Sequence, residues 1–367
     1  MRGPKDQHSS PDRNVLDEGT RQGEEGGEEE ELEVEDSLSK KEAYDPTGQT
    51  CYVKACKMFQ VVPVSYFLKH MQNSELALMH RGLGPQQHFE NAVIWNFLVF
   101  GLLAIFYFLT MQDVLICVSI PEVDLSNNNL EDYGATAIAG MLKENSTLVS
   151  LSLSGNHFTD RSAEHLGPAL ITNTKLQHLN LSYNALGERA GEHLGVALSE
   201  NTGLRSINLA WNCIRGRGAA MLANGLGENV FLRAVDLSYN GFGKEGAGAL
   251  GQALKENNVL EELNISNNRI PPEGAIHLAM GLRVNKTIKS LNIGRNPILN
   301  AGCYGILKSI QDNPDSALEA VDFSDITVSQ DFEDLYTAVK EIFPALRVNH
   351  GGRIGTFSKA KACKVLL

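Results

Sequence analysis

Residues 176–203 read LQHLNLSYNALGERAGEHLGVALSENTG, and residues 204–231 continue with LRSINLAWNCIRGRGAAMLANGLGENVF. The two segments place leucines, small residues and asparagines at the same positions, 28 residues apart. Self-similarity at a fixed period of this size predicts a solenoid of stacked repeats. The asparagine that closes each L-x-L-x-x-N segment keeps the spacing throughout, at Asn128, Asn156, Asn184, Asn212, Asn240, Asn268 and Asn296.

Each unit contains one strand pattern followed by one helix pattern. Leu179 and Leu181 alternate with polar residues, which places them on one face of a strand. Downstream, apolar residues recur with the spacing of an amphipathic helix. In this unit they are Ala190, Leu194, Ala197 and Leu198. The sequence therefore predicts a β-α unit whose strand and helix bury their apolar sides against each other.

Two series of asparagines mark the turns of each unit. The series named above follows the strand, where its side-chain amides can bond backbone groups that have no ladder partner, so we expect a structural asparagine ladder. A second series lies seventeen residues further on, at the helix end, where asparagine tolerates the left-handed conformation. Its members are Asn145, Asn173, Asn201, Asn229, Asn257, Asn285 and Asn313.

No single unit can bury its apolar face alone, so neighbouring units must stack. The predicted fold is an α/β solenoid, a horseshoe with parallel strands on the concave side and helices on the convex side. A degenerate eighth unit begins at Leu318 and carries Asp325 and Ile326 in place of the asparagine turn, which indicates a closing cap.

Residues 123–348 resemble the ribonuclease-inhibitor type of leucine-rich repeat, which is also found in NOD-like receptors and Ran GTPase-activating proteins. The preceding segments ACKMFQVVPVSYFLKHM (55–71) and LALMHRGLG (76–84) resemble the entry segment of the leucine-rich repeat-containing protein 74 group. The resemblance implies the horseshoe fold. Its motif positions are structural, so it carries little information about function.

Composition divides the chain further. Residues 1–50 hold fifteen acidic and six basic residues, a net charge of -9 out of -12 for the whole chain of 367 residues. We expect residues 1–45 to be a disordered acidic tail, 46–87 a helical entry segment with a partial repeat, 121–348 the solenoid, and 349–367 a flexible tail. The acidic balance does not favour nucleic-acid binding.

Residues 88–120 interrupt the repeat frame. Leu76 and Arg81 fit the frame, but Arg81 to Asn128 is 47 residues, which is not a multiple of 28. Residues 91–112, NAVIWNFLVFGLLAIFYFLTMQ, carry no charge and as a helix would span roughly 33 Å, enough for a bilayer core of about 30 Å. A membrane span, a buried capping helix, and a splice or gene-model product are the three interpretations, with the orientation of any span left open.

The chain lacks the motifs of a catalytic, metal or cofactor site. The glycines of GFGKEG (241–246) fall in the repeat's own strand-to-helix turn without a dinucleotide-binding fold around them. The six cysteines show no paired cap spacing, which is typical of a reducing compartment. We therefore expect a cytoplasmic protein without cofactor or metal, with a single-pass membrane protein as the alternative.

The concave side carries the candidate binding residues. The position before each origin asparagine holds aromatic residues in three consecutive units, Tyr183, Trp211 and Tyr239, and aromatic clusters are favoured binding anchors. The same units offer a polar rim of His178, Asn180, Arg205, Asn208, Arg233 and Asp236. The alternative is that each ring covers the edge of the neighbouring unit.

Together these features predict a non-enzymatic scaffold that binds a protein partner through its concave face. A GTPase regulator, as the resemblance to Ran GTPase-activating proteins implies, and a membrane-tethered leucine-rich repeat protein are the alternatives. The sequence identifies neither the partner, the pathway nor the oligomeric state.

Overall fold

The strands form one parallel sheet in which each strand pairs with the next one along the chain. A computed structural model of the chain describes residues 120–354, the strand at 75–77, and positions 53 and 69. The acidic segment 1–45, nearly all of the entry segment 46–87, the apolar run 91–112 and the last residues 355–367 lie outside the described residues. The expectations stated for those four segments remain predictions.

The described strands and helices alternate from residue 122 onward. The strands are β1 (Glu75–Ala77), β2 (Glu122–Asp124), β3 (Ser150–Ser152), β4 (His178–Asn180), β5 (Ser206–Asn208), β6 (Ala234–Asp236), β7 (Glu262–Asn264), β8 (Ser290–Asn292), β9 (Ala320–Phe323) and β10 (Arg347–His350). The helices are α1 (Glu131–Glu144), α2 (Asp160–Thr172), α3 (Glu188–Glu200), α4 (Gly216–Glu228), α5 (Gly243–Glu256), α6 (Pro272–Leu282), α7 (Leu299–Gln311) and α8 (Gln330–Ile342).

The strand register follows the sequence repeat. Leu179 of β4 lies opposite Ile207 of β5, so a step of 28 residues joins neighbouring strands. Leu76 of β1 lies opposite Val123 of β2, although 47 residues separate them. The strand at residues 75–77 thus keeps the frame of the repeat, and the surplus chain is accommodated between β1 and β2 without an additional strand in the sheet order.

The core lies between the sheet and the helices. Leu179 and Leu181 are almost completely buried, as are the helix residues Ala190, Leu194 and Leu198 in the same unit. The equivalent residues of the other units join one continuous hydrophobic cluster that extends from Ile120 to Leu346. The fold predicted from the spacing, an α/β leucine-rich repeat solenoid, is therefore confirmed.

The first asparagine series connects each unit to the one before it. The Asn156 Oδ1 accepts a hydrogen bond from the backbone N–H of Asn128 at 3.0 Å. The Asn156 Nδ2 donates to the carbonyls of Leu125 and Leu153, each at 3.0 Å. From Asn156 to Asn296, every Nδ2 donates to the carbonyl 31 residues earlier, so the side chains bridge neighbouring units in a row.

The second asparagine series differs from the expectation of a left-handed conformation, which is wrong. Asn173 is extended, with φ of -81° and ψ of 115°, and the equivalent residues Asn145, Asn201, Asn229 and Asn257 are extended as well. The Asn173 Nδ2 donates to the Leu142 carbonyl at 2.7 Å, while its Oδ1 accepts from the Leu176 N–H at 2.8 Å. The side chain makes the turn and joins two units, so the backbone need not become left-handed.

Helix α2 receives its amino-terminal cap partly from the preceding unit. The carboxylate of Asp132 accepts hydrogen bonds from the backbone N–H of Thr159 at 3.0 Å and from its hydroxyl at 2.7 Å, and also from the hydroxyl of Ser162. Burial raises the pKa of Asp132, but the hydrogen bonds from Ser162 and Thr159 outweigh it and hold the pKa below its usual value.

We expect Asp132→Asn to lower the thermal midpoint at pH 7 and to have a progressively smaller effect below about pH 4. A carboxylate whose pKa is depressed by folding stabilises the native state above the ordinary aspartate pKa of about 3.9, and this contribution is lost as the pH falls through the folded value. Thermal melts of both proteins across the acid range measure the difference. A gap between the two midpoints that stays constant down to pH 2 would contradict the assignment.

The carboxyl-terminal end of the solenoid is closed by α8 and β10. The rings of Phe323 and Phe332 pack edge to face at 5.9 Å, and Phe332 packs in the same way against His350. The expected flexible tail from residue 349 begins inside β10, and a further bridge joins Val328 to Arg353, so regular pairing continues beyond that boundary. Within the described ranges, no helix combines the length and apolar composition needed to cross a membrane.

Candidate protein-binding surface

The residue before each origin asparagine adopts a left-handed backbone conformation. Tyr183, Trp211 and Tyr239, here called the aromatic column, have φ angles of 53°, 54° and 54°. Their backbone N–H groups donate to the carbonyls of Ala210, Ser238 and Ser266 in the next unit, at 2.9–3.0 Å. The same position is also left-handed in the other units, at Asn127, Gly155, Asn267, Arg295 and Asp325.

This backbone conformation is costly for a bulky side chain. The left-handed region costs an L-residue roughly 1–2 kcal/mol, and glycine and asparagine tolerate it best. Gly155, Asn127 and Asn267 use these residue types at the same position. Three consecutive units nevertheless carry large aromatic residues there, and strained residues of this kind are a reason to suspect function.

The three rings stack on one another along the solenoid. Tyr183 and Trp211 have ring centroids 5.2 Å apart with planes 12° from parallel. Trp211 and Tyr239 have centroids 3.8 Å apart with planes 10° from parallel. Tyr183 is 57% exposed and Trp211 44% exposed, so the stack packs between units and also presents its ring edges to solvent. The two interpretations given from the sequence, binding and packing, therefore describe the same arrangement.

A charged residue closes the carboxyl-terminal end of the stack. The Arg295 Nη1 donates to the Tyr239 hydroxyl at 2.6 Å across the intervening unit, and its Nε donates to Asp325 at 2.9 Å. The hydrogen bond to Tyr239 and the charge of Asp325 raise the pKa of Arg295. The sequence placed Arg295 in the same column, but gave no signal that its side chain reaches back to a tyrosine two units away.

Three of the expected rim residues have structural duties. The side-chain oxygens of Asn180, Asn208 and Asp236 accept hydrogen bonds from the backbone N–H two residues later, at 2.8–3.0 Å. This is the Asx-turn arrangement, in which the side chain completes a tight turn at the strand end. These residues lie on the outward side of the sheet and are half-buried, so only part of each is open to a partner.

The other expected rim residues lie at the opposite ends of the strands. Arg205 and Arg233 immediately precede β5 and β6, six positions before the aromatic column, which corresponds to up to roughly 20 Å of extended chain. They do not border the aromatic column, because the rim was inferred from shared units and not from the ends of the strands. His178 lies on the outward face of β4 with its Nδ1 2.7 Å from the Ser206 hydroxyl.

The two arginines have partners of their own. The Arg205 guanidinium lies 5.2 Å from the ring centroid of Phe231. Arg233 and Lys289 both pair with the carboxylate of Glu261, and the Lys289 Nζ lies 2.6 Å from it. Hydrogen bonds from Lys289 and Arg233 lower the pKa of Glu261. Sequence reasoning missed Phe231, Glu261 and Lys289; the column position of Glu261 and Lys289, one and two units after Arg233, was the available signal.

The outward strand positions are acidic. In β2–β9 they carry Glu122, Asp124, Asp236, Glu262 and Asp322, and no lysine or arginine. Among the described residues no group of histidine, cysteine and acidic side chains is arranged to hold a metal ion. The geometry therefore offers an extended surface for association and no constellation for covalent chemistry.

Comparison with known proteins agrees with the fold. A family model described as leucine-rich repeat matches residues 118–139, 144–167, 172–194, 200–223, 228–251 and 256–279. Solved structures include an internalin from Listeria monocytogenes, with a TM-score of 0.42, 16% identity, and coverage of 68% of this chain and 65% of that one. Another is leiomodin-1 actin-binding site 2, with a TM-score of 0.35, 19% identity, and coverage of 48% and 87% respectively.

The chain is a leucine-rich repeat protein, an architecture whose extended concave surface serves protein interaction. Among curated proteins it is similar to human leucine-rich repeat-containing protein 74B, with 54% identity over 50 residues. The mouse protein of the same name is 52% identical over 42 residues. The matched segments cover 14% and 11% of this chain, and 13% and 11% of those relatives.

Proposed function

We propose that this chain is a non-enzymatic scaffold that binds a protein partner through its concave face, with the aromatic column as the anchor. The observation that carries the proposal is the aromatic stack, since three consecutive bulky residues occupy a backbone conformation that glycine or asparagine would adopt at lower cost. Exposed aromatic residues on a rigid scaffold are frequent binding hot spots.

The neighbouring surface supports this assignment. The stack is fixed by strand pairing on one side and by Arg295 on the other, so little ordering is needed when a partner binds. The outward positions of β2–β9 form a continuous polar surface beside it. A partner can therefore contact several units at once, which is how solenoids usually achieve recognition.

Replacing all three residues by asparagine should abolish partner capture while lowering the thermal midpoint by no more than a few degrees. Stacking contributes about 1 kcal/mol per ring pair, and asparagine recovers about 1 kcal/mol per left-handed position, so the two effects largely offset. Asparagine is preferred to alanine because Asn127 and Asn267 already occupy this position. The full-length chain serves as bait, and captured proteins are quantified by mass spectrometry.

The matched control is Tyr133→Asn combined with Tyr304→Asn, which removes two exposed tyrosines from α1 and α7 instead of the concave face. Proteins captured by the wild type and by this control, but lost with Tyr183→Asn, Trp211→Asn and Tyr239→Asn, support the proposal. Undiminished capture by the triple variant refutes it. A fall of ten degrees or more in the midpoint of the triple variant would show that the rings serve chiefly to hold the units together.

A further inference from the structure

The aromatic column is open at its amino-terminal end. The unit before Tyr183 carries Gly155 at the column position, so no side chain of that residue covers the outer face of the Tyr183 ring. A Cβ atom at Gly155 would lie 2.3 Å from the Asn127 Oδ1, which shows that this amide oxygen lies beside the gap. Tyr183 is the most exposed of the three stacked residues for which exposure exceeds one third.

The opposite end of the same column shows what can complete it. There the chain uses the guanidinium of Arg295, which bonds the Tyr239 hydroxyl and Asp325. A planar cation is thus part of the column at one end, whereas the other end has an uncovered tyrosine face. Guanidinium groups stack on aromatic faces and donate hydrogen bonds within their own plane.

Charge distinguishes between the possible occupants of the open end. The strand nearest to it, β2, carries Glu122 and Asp124 at its outward positions. The complete outward surface of β2–β9 adds three carboxylates and no lysine or arginine. Arg233 and Lys289, which flank this surface, are paired with Glu261. The electrostatic field of such a surface favours a cationic partner over an anionic or neutral one.

We infer that the open end of the column is a receptor site for an arginine side chain on an extended basic segment of the protein partner. The guanidinium lies against the outer face of Tyr183 above Gly155, with the Asn127 Oδ1 as an acceptor beside it. The rest of the segment crosses the acidic outward surface of the strands. This inference rests on the proposed concave-face binding and specifies the chemistry of the partner.

Arginine is preferred to lysine for a physical reason. Both side chains gain from the carboxylates, but only the flat guanidinium can stack on the tyrosine ring while it donates to an acceptor in its plane. The surface charge therefore sets the attraction for basic segments in general, and the tyrosine face sets the discrimination between the two cations. Salt should weaken the attraction more than the discrimination, because exposed charges are screened and a stacked pair is screened less.

The test measures binding of labelled peptides to the full-length chain by fluorescence anisotropy. A short peptide of alternating serine and arginine is compared with one in which every arginine is lysine and one in which every arginine is citrulline, a planar neutral analogue. We expect the arginine peptide to bind about five-fold more tightly than the lysine peptide, and the citrulline peptide to bind most weakly.

Two variants address the site itself. Gly155→Asn fills the gap with a residue that occupies the same position in two other units, and the exposed Asn127 side chain can move aside. It should reduce arginine-peptide binding to the level of the lysine peptide without changing the latter. Tyr183→Asn removes the ring face and should have the same effect, which keeps the test decisive if Gly155→Asn folds poorly.

Equal affinity for the arginine and lysine peptides, or no detectable binding of any peptide, would overturn the inference. So would an unchanged arginine preference in both variants. These outcomes differ from failure of the proposed function, which is measured by capture with the triple asparagine variant. A partner that needs the aromatic column but shows no arginine preference would leave the concave-face proposal standing and remove only the receptor site.

Discussion

Replacing Asn212 by alanine is expected to lower the free energy of unfolding by about 3 kcal/mol. Asn212 is 8% exposed and joins two units. Its Oδ1 accepts from the Leu186 N–H at 3.0 Å, and its Nδ2 donates to the carbonyls of Leu181 and Leu209 at 3.0 and 3.1 Å. Alanine leaves the Leu186 N–H without this acceptor, and a buried unsatisfied group costs about 1–3 kcal/mol.

The two carbonyls lose less. The Leu181 carbonyl also accepts from Asn184, and the Leu209 carbonyl also accepts from Asn240, so each keeps one side-chain partner after the substitution. Lost hydrogen bonds of this kind are worth about 1 kcal/mol each. Since the affected bonds connect neighbouring units, we expect the loss to appear as a lower urea midpoint for the whole solenoid.

The matched control is Asn224→Ala in α4. Asn224 is exposed in the middle of the helix, where alanine has the higher helix propensity, so this substitution should be neutral or slightly stabilising. Urea titrations of the two variants and the wild type provide the comparison. Similar midpoints for Asn212→Ala and Asn224→Ala would mean that the ladder contributes little to stability.

The fold and the ladder were predictable from the sequence because both depend on what is repeated. A step of 28 residues requires each strand to pair in the same register, and the structure pairs Leu179 with Ile207 accordingly. A buried asparagine at a fixed position in every unit has the same orphan backbone groups beside it each time. One correct inference about a single unit therefore held for the whole row.

The conformations of the turn residues were not predictable in the same way. The second asparagine series suggested left-handed helix ends, yet Asn173 is extended and the left-handed residues are Tyr183, Trp211 and Tyr239. Residue type argues against a left-handed tyrosine or tryptophan. The conformation is imposed by hydrogen bonds to the next unit, which is information that local propensity does not contain.

The candidate site was predicted in part for a related reason. The aromatic column was visible because its members share one repeat position. The polar rim was chosen from the same units without regard to which end of the strand each residue occupies, and Arg205 and Arg233 therefore lie at the far ends. Contacts that cross two units, such as Arg295 to Tyr239, depend on side-chain length and leave no periodic signal.

A second large effect is expected in the helical layer, where Gly225→Ala should lower the free energy of unfolding by about 3 kcal/mol. A Cβ atom at Gly225 would lie 2.1 Å from the Gly195 carbonyl oxygen and 2.8 Å from its carbonyl carbon. These atoms belong to the backbone of α3, so α3 and α4 would have to separate. Overpacking at a close contact typically costs 1–3 kcal/mol, and here the strain falls on rigid backbone atoms.

Gly248→Ala in α5 makes the same chemical change in a different environment. The nearest atom to a Cβ at Gly248 is the His277 Nδ1 at 3.3 Å, the end of a side chain that can move. Alanine should therefore stabilise the protein by about 0.5–1 kcal/mol through its greater helix propensity. Helix propensity alone predicts that both substitutions stabilise. Urea titration distinguishes the two views, because close packing of α3 on α4 requires opposite signs, and stabilisation by both variants would show that the helices can separate at little cost.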